Sequence, residues 1–225
     1  YYVKFKNESQ FQAGDYTLTK AMTFDELIES LKTGRVYREP VFTITIPEGL
    51  TLDQIGQVIA KNTAHTADEF MEVVTSEAFV SKMMAAYPTL ITEEVFNENI
   101  RYDLEGYLYP ATYAFYTETP TLETIVSEMI SETNKVVNKY RNLTEEKVMT
   151  PHKLLTMASL IEEEATQQTD RKKIASVFYN RLEIDMPLQT DPTVAYALGE
   201  HLDRTFYVHT EVDDPYNTYE NKGLT

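Results

Sequence analysis

The sequence predicts an α+β protein, with small strand-then-helix units first and a helix-rich part with some strand after them. Three observations carry this. A short pattern occurs twice near the N-terminus, as Met22-Thr23-Phe24-Asp25-Glu26-Leu27 and again as Leu50-Thr51-Leu52-Asp53-Gln54-Ile55. In each copy a Thr stands three residues ahead of Glu or Gln, the pairing that closes a helix start by reciprocal side-chain-to-backbone bonds. Strand-like residues precede each copy, and beyond residue 100 the apolar spacing becomes mainly helical.

In the first unit Tyr16-Thr17-Leu18 reads as strand, and Leu27, Ile28 and Leu31 as the inner face of a helix. In the second, Val41-Phe42-Thr43-Ile44-Thr45-Ile46 alternates as a half-buried strand does. Pro47-Glu48-Gly49 makes the turn, and Ile55, Val58 and Ile59 the helix face. Thr66 with Glu69 opens a third capped helix carrying Phe70, Val73, Val74 and Phe79, and Pro88 closes this part, so the domain boundary is placed near residue 90. The stretch from Asp103 to Tyr113 is aromatic and punctuated by Gly106 and Pro110, hence loop or short strand. Pro120 stands near the start of a long helix striped by Leu122, Ile125, Val126, Met129, Ile130, Val136 and Val137. Further helices are expected from Pro151 to Ala165, after Thr169 as N-cap (Ile174, Val177, Phe178, Leu182), and from Thr193 to Leu198 behind an Asp191-Pro192 cap pair.

Composition narrows the function classes. Acidic residues number 36 against 20 basic, a net charge of −16, and such a field repels nucleic-acid phosphates and anionic lipid headgroups. With no cysteine, disulfides and thiolate metal sites are excluded. The histidines at 65, 152, 201 and 209 lack the i, i+4 pairing of a helical metal site, so no metal is expected. No run of about 18 apolar residues occurs, as a membrane span would need. The chain opens on Tyr1-Tyr2-Val3-Lys4-Phe5 and stops at Lys222-Gly223-Leu224-Thr225, and reads as a piece of something longer with any anchor outside it.

The helix from Pro151 to Ala165 is the most informative for chemistry. Taking Leu154, Met157, Ala158, Ile161 and Ala165 as its apolar face puts Glu163 on the far side, solvated, and Glu162 and Glu164 on the two flanks. A carboxyl against apolar neighbours loses hydration, its pKa rises, and it becomes a usable general acid near neutral pH. Three glutamates in a row equally fit a solvated helix face, and periodicity does not choose between Glu162 and Glu164. Tyr179, Asn180 and Arg181 lie on the next helix. Capping alone accounts for Asp191 but not for Gln189 and Thr190, and Asp214-Pro215-Tyr216-Asn217-Thr218-Tyr219 is a polar aromatic turn that lines a sugar site or closes a loop.

Strand, Pro-x-Gly-x-Thr turn and helix resemble the LysM-like glycan-binding unit, although two such units packing together explain the repeat equally well. A more specific resemblance lies further on. Leu104-Glu105-Gly106-Tyr107-Leu108-Tyr109-Pro110-Ala111-Thr112-Tyr113, Ala158-Ser159-Leu160-Ile161-Glu162-Glu163-Glu164-Ala165, Val177-Phe178-Tyr179-Asn180-Arg181-Leu182, Leu188-Gln189-Thr190-Asp191-Pro192-Thr193-Val194 and Tyr216-Asn217-Thr218-Tyr219 stand in this order. In order and spacing they resemble the endolytic murein transglycosylases of the YceG-like family.

The resemblance implies LysM-like units, a partial one at 1–39 and one at 40–90, then a helix-rich mixed catalytic domain at 91–225, truncated at its C-terminus. It implies Glu164, the second glutamate of the family's Ala-Ser-x-x-Glu-x-Glu pattern, as the catalytic acid/base. Glu105, Glu162, Tyr179, Asn180, Arg181, Gln189, Thr190, Asp191, Tyr216 and Asn217 would line the glycan cleft. The implied reaction is that of a lyase needing no cofactor. It cuts the β-1,4 bond between N-acetylmuramic acid and N-acetylglucosamine within peptidoglycan strands and leaves a 1,6-anhydro end. The implied setting is the outer face of the cell membrane, with a tether outside this chain and cell-wall synthesis machinery as partner. The rival reading is a non-catalytic LysM-like peptidoglycan-binding protein, which leaves the ordered stretches after residue 100 without a purpose. A pyridoxal-phosphate lyase would need a phosphate cradle, and no Gly-rich loop opens a helix here.

Overall fold

A computed structural model describes residues 11, 12, 16, 18–33, 40–145, 149–165, 170–200 and 202–224. The described residues are mixed α+β, with eight α-helices, two 3-10 turns and one two-stranded sheet. The chain divides into two compact units, residues 1–43 with 114–118 and residues 44–113 with 119–225, so residue 90 lies inside the larger one.

In the smaller unit the first capping box forms as the pattern requires. Thr23 N–H donates to Glu26 Oε2 at 2.7 Å and Glu26 N–H to Thr23 Oγ1 at 3.3 Å. It opens α1 (Phe24–Thr33), which buries Ile28. Of the strand expected at 16–18, Thr17 lies outside the described residues, while Tyr16 and Leu18 are in no strand. Val41 N–H donates to the Phe115 carbonyl at 2.9 Å, and the Phe42 and Phe115 rings stack at 6.0 Å.

In the larger unit the same two strands, β1 (Phe42–Thr45) and β2 (Thr112–Phe115), continue to the bond from Ile46 N–H to the Ala111 carbonyl at 2.9 Å. Residue numbers rise along one strand as they fall along the other, so the pair is antiparallel. Ile44 and Ile46 are buried while Thr43 and Thr45 are exposed, as a one-sided strand requires. Gly49 then turns the chain with φ +73°, a conformation costly for any residue with a Cβ. The second capping box, Thr51 with Gln54, opens α2 (Leu52–Asn62), which buries Leu52, Ile55, Gly56 and Ile59. A Cβ at Gly56 would stand 3.1 Å from the Phe70 ring, so the glycine lets α3 (Ala67–Val74) cross closely. The single helix expected from Thr66 through Phe79 is two helices. Ser76 accepts the Phe79 N–H and starts α4 (Glu77–Ala86), the usual effect of a side-chain oxygen that competes with the helix ladder.

The stripe on α5 (Leu122–Glu145) is buried along Leu122, Ile125, Val126, Met129, Ile130 and Val137, each fully buried aliphatic worth about 2 kcal/mol. Leu104, Tyr107 and Leu108 are also buried, and Thr133 Oγ1 donates to the Tyr107 carbonyl at 2.6 Å. The aromatic stretch before β2 is therefore largely core.

Three helices carry the site: α6 (Pro151–Glu164), α7 (Arg171–Glu183) and α8 (Asp191–Leu198). Thr150 caps α6 and Pro151 begins it. Asp170 stands at the N-cap of α7, while Thr169, the expected cap, lies outside the described residues. Gly199, at φ +68°, ends α8. Met157 and Leu160 of α6 form one cluster with Phe178 and Leu188, with Ile161, Ile174 and Leu182 against it. The buried side of α6 thus centres on His152, Met157 and Leu160, while Ala158, expected inside, is exposed. The wheel placed the stripe about one residue off because His152, read as polar, is buried beneath Tyr107, their rings 5.9 Å apart. No described helix is long and apolar enough to cross a membrane.

Candidate active site

Glu164 is the last residue of α6, one turn beyond Leu160. Core packing ends there, so its side chain is exposed although it lies on the rim of the buried face. Glu164 Oε2 accepts a 2.8 Å hydrogen bond from Thr190 Oγ1. Thr190 is 1% exposed, so this contact reaches the edge of the site from a water-free wall.

That wall is a set of hydroxyls with a definite direction. Thr193 donates to the Thr190 carbonyl at 2.7 Å, which uses its one proton. Thr218 must therefore donate in the 2.9 Å contact between its hydroxyl and that of Thr193. Thr218 Oγ1 in turn accepts the Thr190 N–H at 3.0 Å. Gln189 N–H donates to the Thr218 carbonyl at 3.0 Å and holds Gln189 at φ +50°, unusual for a residue with a Cβ. The strain, about 1 kcal/mol, sits beside Thr190.

The expected cap role of Asp191 is not what the structure has. Thr190 occupies the N-cap without a side-chain cap bond, Asp191 is the first helical residue, and its Oδ1 accepts from Tyr219 Oη at 2.6 Å. That bond, followed by burial, pushes the Tyr219 hydroxyl up to about 12, with Glu164 raising it further and Arg181 pulling the other way. Glu164, Thr190, Asp191, Arg181 and Tyr219 are therefore one electrostatic neighbourhood. Arg181 reaches it from α7 and donates to the Leu188 carbonyl.

The other expected site residues divide. Glu162 faces Arg171 at 3.9 Å, an exposed pair of little energetic weight. Glu163, expected to be merely solvated, is exposed, yet its Oε1 lies 3.1 Å from where a Gly49 Cβ would stand. Partial desolvation of its carboxyl, then the charge of Glu162, raise its pKa. Tyr179 is half-buried, its hydroxyl 3.7 Å from Met149 sulfur, and Asn180 is exposed. Asn217, expected on the glycan, is instead 0% exposed, its amide donating to the Thr210 and Val212 carbonyls at 3.0 and 2.8 Å. It shapes the loop that delivers Thr218 and Tyr219.

Glu105 and Tyr216 join a second cluster toward the other end of α8. Glu105 accepts the Leu52 N–H at 3.1 Å and the Tyr196 hydroxyl at 3.0 Å. Burial pushes its carboxyl up to about 7 against those two bonds, and Asp53 adds to the rise. Arg101 is the residue that inspection of the sequence passes over. It lies against both the Tyr196 and Tyr216 rings, its guanidinium carbon 4.9 and 5.7 Å from their centroids, and is a single cation without a local pattern to mark it. Tyr219 could have been found, since it ends a stretch already singled out.

The chain matches the YceG-like family over residues 1–225. It is 49% identical over its full length to the endolytic murein transglycosylase of Bacillus subtilis (strain 168), and 41% identical to that of Streptococcus pneumoniae serotype 2 (strain D39). It spans 62% of the length of the first and 43% of the second. A crystal structure of a YceG-like protein from Listeria monocytogenes superimposes with a TM-score of 0.79 at 46% identity, over 99% of this chain and 73% of that one. The family match and the conserved architecture lead to one statement, that the chain belongs to the YceG-like family.

Proposed function

We propose that the protein is a lytic transglycosylase that cuts peptidoglycan strands internally, with Glu164 as acid and then base. The observation that carries this is the contact of an exposed carboxylate with a buried hydroxyl, Glu164 with Thr190, in a chain whose relatives bear the name endolytic murein transglycosylase. A hydroxyl suits both states of such a residue, because Thr190 can donate to the carboxylate and accept from the carboxylic acid. The group that must gain and lose a proton in one cycle therefore keeps its partner throughout.

In this reading a glycan laid over the end of α6 excludes water from Glu164, which favours the neutral acid. Glu164 then protonates the glycosidic oxygen as the muramyl C1–O bond breaks through an oxocarbenium-like state. Its carboxylate next takes the proton of the muramyl C6 hydroxyl, which closes on C1 to give the 1,6-anhydro ring. No water is consumed, one carboxylate serves twice, and proximity within one sugar assists the closure. Among the residues proposed to line the glycan cleft, Asn180, Gln189 and Asp191 are exposed, and Arg181, Tyr179 and Glu162 are partly so.

Residues 40–90 act as a LysM-like unit bearing on the glycan, after a partial unit at 1–39, and residues 91–225 as the catalytic domain. The enzyme works outside the cytoplasmic membrane, tethered by a segment beyond this chain. There it meets the synthesis machinery and ends the elongation of new strands. The test is mass spectrometry of glycan strands digested by the full-length protein and by Glu164→Gln. Internal fragments with 1,6-anhydromuramyl ends are expected from the first alone, and equal cutting by the variant would remove Glu164 from the reaction. Binding without cutting by both would return the glycan-binding reading.

A further inference from the structure

Arg101 takes no part in that chemistry, yet its guanidinium and its backbone hold two separate segments. Nη1 donates to the Tyr196 carbonyl at 2.7 Å and Nη2 to the Ala197 carbonyl at 2.9 Å, with Asp214 Oδ2 at 3.4 Å from Nη2. Its backbone N–H donates to the Tyr216 hydroxyl at 2.8 Å, and the Tyr196 and Tyr216 rings meet edge to face at 4.8 Å. The last carbonyls of a helix lack partners within it, and a planar cationic fork bridges two of them as an ammonium does not. Arg101 is thus the C-terminal clamp of α8 and, in the same grip, the anchor of the turn at Asp214–Tyr216.

Both segments arrive at Glu164 by their other ends. Helix α8 is preceded by Thr190, which donates to Glu164, and the turn runs on to Thr218 and Tyr219, which hold Thr190 and Asp191. A helix of eight residues is about 12 Å long and stiff, so a shift at its clamped end is delivered to its cap. We propose that Arg101 is a positioning residue for the catalytic carboxylate, fixing through α8 and the 214–219 turn the place at which Thr190 meets Glu164. This rests on Glu164 being the acid/base.

The experiment is a double-mutant cycle in the full-length protein, with Arg101→Lys, Thr190→Val and the pair, and Glu164→Gln alongside. The rates are followed on isolated peptidoglycan strands as kcat and KM separately. Lysine keeps the charge and the backbone bond to the Tyr216 hydroxyl but loses the fork. Arg101→Lys is expected to lower kcat on the order of tenfold or more, as a misplacement of about 1 Å does, with KM little changed. In the Thr190→Val background the same change is expected to have no further effect, since the contact it serves is already gone. An unchanged kcat, a loss of equal size in both backgrounds, or a rise in KM alone overturns the proposal. If Glu164→Gln is inactive while Arg101→Lys is fully active, the positioning role falls and the acid/base reading stands. If Glu164→Gln keeps its activity, the reading falls and the positioning role with it.

Discussion

Glu164 and Glu105 lie toward opposite ends of α8, and their surroundings differ in almost every respect. Glu164 is exposed at the end of a helix and has one hydroxyl from a buried threonine. Glu105 is held between the N-terminus of α2 and the Tyr196 hydroxyl, with its pKa pushed up to about 7 by burial. A carboxyl pushed up to about 7 meets the proton-affinity requirement of a general acid at neutral pH. Judged by access Glu105 is the poorer one, because its oxygens already hold a backbone N–H and a phenol. Geometry comes before pKa in naming an acid, since a proton must reach the leaving oxygen to be of use. The raised carboxyl ties two segments together, and the open one is the carboxyl proposed for the substrate.

The largest expected effect tests that assignment directly. Glu164→Gln should lower strand cleavage by roughly 10²- to 10⁴-fold, the range of general acid–base catalysis, with a melting temperature close to that of the parent. Glu105→Gln should retain most of the activity. A reversed order of the two, measured as kcat on the same strands, would invert the comparison.

The second effect is on stability and its pH dependence. The Glu105 pKa rises from 4.5 to about 7 on folding, so the folded state holds more protons between those values than the unfolded state does. Its contribution is fully present below 4.5 and is lost as pH rises through about 7, on the order of 3 kcal/mol in all. Glutamine keeps one oxygen that can accept from the Leu52 N–H and the Tyr196 hydroxyl, without the charge. Glu105→Gln should therefore melt with the parent at pH 5 and above it at pH 8, and parallel curves in calorimetry would refute the burial argument.

A smaller effect is expected where one turn touches both regions. Gly49 lies in the turn leading to Leu52, which Glu105 holds, and a Cβ there would press within 3.1 Å of Glu163, next to Glu164. Gly49→Ala should cost about 1 kcal/mol from its positive φ, read by denaturant unfolding, and should lower kcat severalfold if that pressure reaches Glu164. The least effect is expected from Tyr219→Phe, which removes one hydrogen bond to an exposed Asp191. About 1 kcal/mol or less should be lost, with a modest fall in kcat on the same substrate.

Much of the architecture was legible along the chain because it depends on neighbours three or four residues apart. The boxes at Thr23, Thr51 and Thr66, the alternation from Phe42 to Ile46 and the stripe on α5 all formed where such local bonding requires. The break at Ser76 and the rotation of α6 were missed for matching reasons. One serine competed with a helix ladder, and one buried histidine was counted as polar.

The site divides along the same line. Which segments carry it, and the choice of Glu164 over Glu162, came from ordered patterns in the sequence and the family they resemble. What each side chain touches came only from the tertiary structure. Thr190 and Glu164 are 26 positions apart, Tyr196 and Glu105 are 91 apart, and Arg101 reaches Tyr196 across 95. Contacts of that separation leave no period or spacing in a sequence, since neither partner constrains its own neighbours. By itself, then, the sequence determined most of the helices, the strand at Phe42–Thr45 and the candidate carboxylate. Packing of α6 against α7 and α8 decided which hydroxyl faces that carboxylate, which asparagine is locked inside a loop, and which arginine holds the far end in place.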